Sequence, residues 1–303
     1  MLFVGPSTIL NRWDWPDAIT FTCLGESPSD DAVHAILAHK LDNTDVDWVI
    51  IDGYRFRGDS WQVQINEAQA RLLMLDDIAD QAFSADAVLN QNGTDPDFYA
   101  TRGINADHCL LGTQYALIEP EYIAPGDKLI NADLARVLVV FGGADRRQLT
   151  SKSVAVLLEL KPSLQLDVVL GPYSSWVDPP NDQSRVVFHK APAGIAELLR
   201  HADLVVTAAG STAWQACAMG CPSVAVQTVD NQAQIVATLQ TSQAALIADA
   251  NRLDTELRYA VEVLRPMEVR KVLVQRARDL VDGAGASRVL EALYSAVNRT
   301  GKR

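Results

Sequence analysis

Positive charge is in short supply in this chain. Lys plus Arg number 26 against 38 Asp plus Glu, a formal net charge of −12. A surface of that sign repels nucleic acid and anionic lipid, so no nucleic-acid partner is expected and any anionic ligand must be held by local donors. Long hydrophobic runs are also missing. No stretch approaches the roughly 18 consecutive apolar residues of a membrane helix, and no basic segment leads into an apolar run at the start. No membrane span is expected, and the chain reads as soluble and cytoplasmic. Cysteine is sparse: Cys23, Cys109, Cys217 and Cys221 form no CxxC pair. They read as buried free thiols, and no metal site or cofactor is expected.

What the 303 residues do contain, at 48% hydrophobic and 21% charged, is enough apolar surface for two ordinary cores. Short runs rich in Val, Ile and Leu alternate with helical patterns, which is the mark of βα units around a parallel sheet and sets the class as α/β. In the first part strands are expected at Leu2 to Gly5, Ile19 to Gly25, Trp48 to Asp52, Arg71 to Leu75, Ala87 to Asn90 and Cys109 to Gly112. The stretch from Glu119 to Asp133 carries Pro120, Pro125 and Gly126 without a sustained period and reads as a connection. A second sheet then starts afresh, with strands at Arg136 to Phe141, Leu166 to Gly171, Val186 to Phe188, Leu204 to Ala208, Ser223 to Val226 and Leu246 to Ala248. Arg265 to Val281 and Ser287 to Val297 have helical apolar spacing. The domains expected are therefore 1–132 and 133–303, with the last helix free to return to the first.

Two segments carry the chemistry. RVLVVFGG ends in Gly142 and Gly143 before Ala144, Asp145 and a helix near Thr150. Glycines after a buried strand let backbone N–H groups approach an anion, and a helix dipole there adds partial positive charge. A tight strand-to-helix turn with no ligand has the same sequence. LVVTAAGSTAWQACAMGCP is sharper: it leaves a strand at Ala208, turns through Gly210 and opens a helix with Ser211 and Thr212. Those hydroxyls can cap the helix or meet a phosphate that the first-turn amides favour. Two such turns after separate parallel strands point to phosphate binding.

FGGAD, the HKAP segment at His189 to Pro192, AAGSTAWQACAMGCPSVAV, DNQ at Asp230 to Gln232 and the late DGAGASRVL together resemble the carboxyl half of GT-B nucleotide-sugar proteins. Within them the chain is most similar to the UDP-2,4-diacetamido-2,4,6-trideoxy-β-L-altropyranose hydrolases of the pseudaminic acid pathway and the SpsG-like proteins grouped with them. VIIDGY at Val49 to Tyr54, LLMLDDIAD at Leu72 to Asp80, ADAVLNQN at Ala85 to Asn92 and LLGTQYALI at Leu110 to Ile118 agree with that family. The resemblance implies two Rossmann-like domains with parallel sheets and an interdomain cleft, and a UDP-sugar as small-molecule partner. It matches Gly142, Gly143, Gly210, Ser211 and Thr212 to positions that hold the diphosphate. The backbone from His189 through Lys190 and Ala191 to Ala193 matches a segment lying against uracil. Gln215 stands where the family has a ribose-binding Glu, and Asn231, Gln232 and Tyr54 match sugar-facing residues.

The family's catalytic histidine lies in a GxGHxxR loop after its first strand, and this sequence contains no such motif. Leu2 to Gly5 aligns with the family's second strand, so a βα unit is expected to be absent from the start. Of the five histidines, His34 and His39 share a helix, His108 precedes a strand, His201 ends a helix and His189 belongs to the uracil segment. Tyr54, Asp52 and Asn231 become the candidate catalytic residues. Asp76 and Asp77 are adjacent at a strand end, where they point apart, and suit turn or capping roles. The leading expectation is a UDP-sugar hydrolase-like protein of nonulosonic acid or related surface-sugar biosynthesis. A GT-B glycosyltransferase using a UDP-sugar donor, and a catalytically inactive UDP-sugar-binding protein, are the alternatives.

Overall fold

The computed structural model describes residues 2–3, 22–24, 28–53, 56, 59–77, 83–93, 95–104, 108–123, 126, 128–161, 163–174, 176 and 185–299. The chain divides into two compact units: unit 1 comprises 1–90, 94–111 and 291–303, and unit 2 comprises 91–93 and 112–290.

In unit 1, β1 (Leu2–Phe3) pairs in parallel with β2 (Thr22–Cys23). Of the rest of the two strands expected there, Leu24 follows the end of β2 and the other residues lie outside the described ones. A second parallel sheet has the order β3 (Trp48–Asp52), β4 (Arg71–Leu75), β5 (Ala87–Asn90) and β6 (Cys109–Leu111). Its core joins Ile51, Leu72, Met74 and Val88 from the strands to Val33 and Leu37 of α1 (Asp30–Asp42) and to Trp61 and Ile65 of α2 (Asp59–Glu67). Ser29 caps α1 by accepting a hydrogen bond from the Ala32 amide. After β5, the short α3 (Pro96–Ala100) carries Tyr99, whose hydroxyl donates to Asp76 at 2.6 Å and accepts from Asn90 at 3.1 Å inside the core.

Unit 2 is one six-stranded parallel sheet in the order β12-β11-β10-β7-β8-β9. The strands are β7 (Arg136–Val140), β8 (Gln165–Leu170), β9 (Val186–Lys190), β10 (Leu204–Ala208), β11 (Ser223–Val226) and β12 (Leu246–Ala248). Runs such as Val137 to Val140 are buried throughout because helices cover both faces. Val137, Val139 and Phe141 pack on the side of α4 (Leu149–Leu160) and α8 (Leu253–Val263). Leu138 and Val140 pack on the side of α6 (Ser211–Met219), joined there by Leu199 of α5 (Ala196–His201), Leu239 of α7 (Ala233–Ser242) and Ala277 of α9 (Met267–Leu280). The chain adds β8 and β9 on one side of β7, then crosses to add β10, β11 and β12 on the other.

Residues 119–133, expected as a connection, fall within unit 2. The reason is Tyr122, which is buried and accepts a hydrogen bond from the Ile195 amide. The last helix, α10 (Gly285–Arg299), begins in unit 2 and ends in unit 1, where Leu293 O accepts from the indole of Trp48. Cys217 and Cys221 are buried free thiols, and burial pushes Cys217 up to about 12. Cys23, by contrast, is exposed and Cys109 only half-buried, so the expectation of buried thiols fails at Cys23 and holds only in part at Cys109. Among the described residues, no helix is long and apolar enough to cross a membrane.

Candidate functional site

The two glycine turns meet at the crossover of unit 2. β7 and β10 are hydrogen-bonded neighbours with Val140 opposite Thr207, so Gly142 and Gly143 leave one strand where Ala209 and Gly210 leave the next. This is the point where strand order reverses, and doubly wound sheets hold ligands outside the carboxyl ends of such strands.

In the first turn Gly142 has φ +76°, a conformation that favours glycine. The carbonyls of both glycines face the end of β8: a Cβ on Gly171 would come within 2.3 Å of Gly142 O and 2.5 Å of Gly143 O. Gly143 O also accepts from the Tyr173 amide at 2.9 Å. The α4 dipole does not serve this turn as expected. Asp145 fills the amino end of α4, its carboxylate accepting from the Leu149 and Thr150 amides at 2.8 and 2.9 Å. Any anion here must use the amides of the turn itself.

The second turn is different. Gly210 precedes α6 and no side chain caps the helix; the Ala213 amide is bound to Gly210 O, which leaves the amides and hydroxyls of Ser211 and Thr212 to meet a ligand. The opposite side of α6 is buried, and the Trp214 indole donates to Asn92 at 3.2 Å, which ties the helix to the segment after β5. Gln232 completes this corner. Its Oε1 accepts from the amide and hydroxyl of Thr228 at 2.7 and 3.1 Å, and its Nε2 lies 3.8 Å from where a Cβ on Gly210 would be. The neighbouring Asn231 is exposed in the 3-10 turn Asp230–Gln232.

One turn into α6, Gln215 donates through Nε2 to Oε2 of Glu119 at 3.2 Å. A carboxylate from another segment thus stands beside position 215. His189 and Lys190 close β9 rather than opening a loop, since pairing continues through Val169 with His189 and Leu170 with Lys190. Ala191 follows at φ +41°, its amide bound to Leu170 O, and residues 190–194 are exposed. The His189 side chain turns back to Asp167 of β8, which is also held by Arg136. Burial alone would raise the Asp167 carboxyl, but the hydrogen bonds and charge of Arg136 and His189 outweigh it and hold it below the usual range.

Gly142, Gly143, Gly210, Ser211, Thr212, Gln215 and Gln232 therefore gather around one end of the unit 2 sheet, with Lys190 and Ala191 at the same end of its edge strand. Of the expected catalytic set, Tyr54 lies outside the described residues. Asp52 ends β3 of unit 1, exposed, with its carboxyl raised by desolvation and then by the charge of Asp77. Glu119, Asp167 and Gly171 escaped the sequence reading. Gly171 alone had a signal there, a glycine at the end of an apolar strand.

The solved structures most like this chain include a UDP-N-acetylglucosamine 2-epimerase, at TM-score 0.64 and 12% identity over 98% of this chain and 86% of that one. MurG of Acinetobacter baumannii gives 0.61 and 15% over 95% and 88%. HepE of Anabaena, solved with UDP and glucose, gives 0.58 and 13% over 95% and 89%. The fold is GT-B, with two Rossmann-like α/β units of parallel sheet. Among curated proteins, the chain is 27% identical over 201 residues to the spore coat polysaccharide biosynthesis protein SpsG of Bacillus subtilis. It is also 27% identical over 124 residues to an uncharacterized protein of Methanocaldococcus jannaschii. These matches cover 60% and 37% of this chain, and 58% and 26% of the relatives' own lengths. No protein-family model matches the chain.

Proposed function

We propose that unit 2 binds the nucleotide of a UDP-sugar and that the chain is a UDP-sugar hydrolase-like protein in the making of a surface saccharide. The observation that carries this reading is the pairing of two glycine turns on adjacent strands at the crossover, one of them opening an uncapped helix. In this reading Gly142, Gly143, Ser211 and Thr212 donate to the diphosphate, Gly210, whose own amide is bound to Ala208 O, leaves room for its approach, and the same donors stabilise the charge on departing UDP. The exposed backbone at 190–193 lies against uracil, Gln215 with Glu119 takes the ribose, and Gln232 orients the phosphate nearest the sugar. Asp52 is the candidate base for water in unit 1, since a raised carboxyl is better suited to accept a proton near neutral pH. HepE, solved with UDP and glucose on this fold, and SpsG, named for spore coat polysaccharide biosynthesis, support the substrate class and the setting.

Calorimetry with UDP, followed by product analysis on UDP-sugars with and without a sugar acceptor, tests the proposal. UDP and free sugar without acceptor is the expected result. UDP release that requires an acceptor replaces the hydrolase with a transferase, and absence of UDP binding overturns the nucleotide site.

A further inference from the structure

Past the glycine turns, at the carboxyl ends of β11 and β12, unit 2 holds a cavity of about 680 Å³. That is the size of a small-molecule site, and its lining joins an apolar floor to a few fixed polar groups, as such sites do. The floor is the edge strand, Leu246 to Ala248, with Ala260 of α8.

The polar groups are held in place by bonds to one another. Asn251 accepts from Arg147 at 2.5 Å, and its amide donates to Asp249 at 2.7 Å. Glu256 accepts from the Asp249 amide at 2.6 Å and pairs with Arg252 at 2.6 Å. A wall braced in this way loses little freedom when a ligand settles on it.

The charges of the lining decide the class of ligand. The lining carries the guanidiniums of Arg147 and Arg252 and the carboxylates of Asp230, Asp249 and Glu256, with Arg252 paired to Asp249 and Glu256, which leaves the cavity slightly acidic. An anion such as phosphate finds no net attraction there, and a compact cation meets two guanidiniums. A neutral ligand carrying many hydroxyls matches, because each hydroxyl both donates and accepts, and the lining offers carboxylates, amides and a guanidinium side by side. The rim adds an aromatic face: Tyr259 is 69% exposed beside the opening. Such a ring packs against the C–H face of a pyranose.

We infer that this cavity is a binding site for a neutral saccharide, distinct from the glycine turns. It adjoins the proposed nucleotide corner at Thr228, which is bonded to Gln232, but its braced groups Arg147, Asp249, Asn251, Arg252 and Glu256 use no bond to Gly142, Gly143 or Gly210, so the site stands whether or not the turns bind UDP.

Saturation-transfer NMR with N-acetyl-D-glucosamine and with methyl β-D-glucopyranoside tests it on the full chain. Transfer to the pyranose ring protons of at least one probe is expected, with or without saturating UDP. It should fall about fivefold or more in Tyr259→Ala, an exposed position whose truncation leaves the core intact, or in Arg147→Ala. It should persist in Gly210→Val. No transfer from either probe, transfer surviving both Tyr259→Ala and Arg147→Ala, or displacement of the sugar by UDP would each overturn the inference.

Discussion

Nε2 of His189 lies 2.9 Å from Oδ1 of Asp167, and the other oxygen of that carboxylate meets Nε of Arg136 at 2.5 Å. Three neighbouring strands supply the triad. Arg136 faces Gln165, two residues before Asp167, and His189 faces Val169, two residues after it, so both partners are diagonal neighbours on one face of the sheet. The His189 side chain thus pins the edge strand, and the backbone that the resemblance places against uracil is exposed from residue 190 onward.

Asp167→Asn should therefore destabilise unit 2 by about 1 to 3 kcal/mol at neutral pH, the range for a hydrogen bond to a charged group. The half-exposed Arg136 places the effect at the lower end. Because the Asp167 carboxyl is held low, its contribution is present above the unfolded value near ~4 and is lost as pH falls through the folded one. Urea unfolding of both proteins at pH 7 and at acid pH checks the sign. Equal midpoints at pH 7, or a gap that widens in acid, would contradict it.

Gly171 and Gly210 should separate stability from binding. A Cβ on Gly171 would run into two carbonyls of the first turn, so Gly171→Ala must displace that turn and lower the melting temperature. A Cβ on Gly210 meets nothing closer than Gln232 Nε2 at 3.8 Å, so Gly210→Val should fold with a melting temperature near that of the parent. Its side chain nonetheless blocks approach to the open amides of α6, and UDP affinity should drop at least about tenfold. A folded Gly210→Val that binds UDP unchanged would remove the diphosphate from this turn.

The strands were the most legible part of the sequence. Trp48–Asp52, Arg71–Leu75, Ala87–Asn90, Leu204–Ala208, Ser223–Val226 and Leu246–Ala248 form at the bounds their apolar runs define; inner strands such as Ala87–Asn90 and Ser223–Val226 are buried throughout, whereas Ile50 of the edge strand Trp48–Asp52 is exposed. β9 runs two residues beyond its apolar stretch, since pairing to β8 carries on through His189 and Lys190 regardless of their polarity. The glycine turns were legible as local patterns. Their juxtaposition was not, because it depends on β10 pairing with β7 and not with the edge strand that precedes it in the chain. Asp145 illustrates the limit of local reading: the segment before α4 looks like an anion site until its own carboxylate is seen to occupy the helix end. Glu119 had no local signal at all, as its partner Gln215 lies far along the chain.

That pair reverses what position 215 alone suggests. Taken by itself, Gln215→Glu adds the acceptor charge that the resemblance expects. With Glu119 Oε2 already 3.2 Å from Nε2 of Gln215, the change sets two carboxylates against each other and one must take up a proton or move. UDP binding should weaken about three- to tenfold in Gln215→Glu. The double variant Glu119→Gln, Gln215→Glu restores one carboxylate and one amide in exchanged order, and should return to within about twofold of the parent. Calorimetry on the four proteins checks the cycle, and tighter UDP binding by the single variant would show that Glu119 leaves the site when ligand enters.

Asp282 joins the end of α9 to the start of α10. Its Oδ1 accepts from the Ala284 amide at 2.9 Å and from Nη1 of Arg288 at 2.8 Å, while Oδ2 meets Nη2 of the same guanidinium. Nη1 also donates to the carbonyl of Gln114, so the pair ties the helix start to the segment after β6. The guanidinium, with smaller help from the Ala284 amide, pulls the carboxyl down to about 2 against a modest desolvation. A depressed carboxyl stabilises the fold above its unfolded value near ~4 and loses that contribution as pH falls towards 2. Both side chains are more than a third exposed, so screening limits the contribution to below about 1 kcal/mol. Asp282→Asn should lower the urea midpoint slightly at pH 7, by less in 0.5 M salt, and by least near pH 2, where the parent carboxyl is about half protonated in the folded chain and almost fully protonated in the unfolded one. A carboxyl titration by NMR that places Asp282 at the ordinary value near ~4 would show that the Arg288 bond does not form in solution.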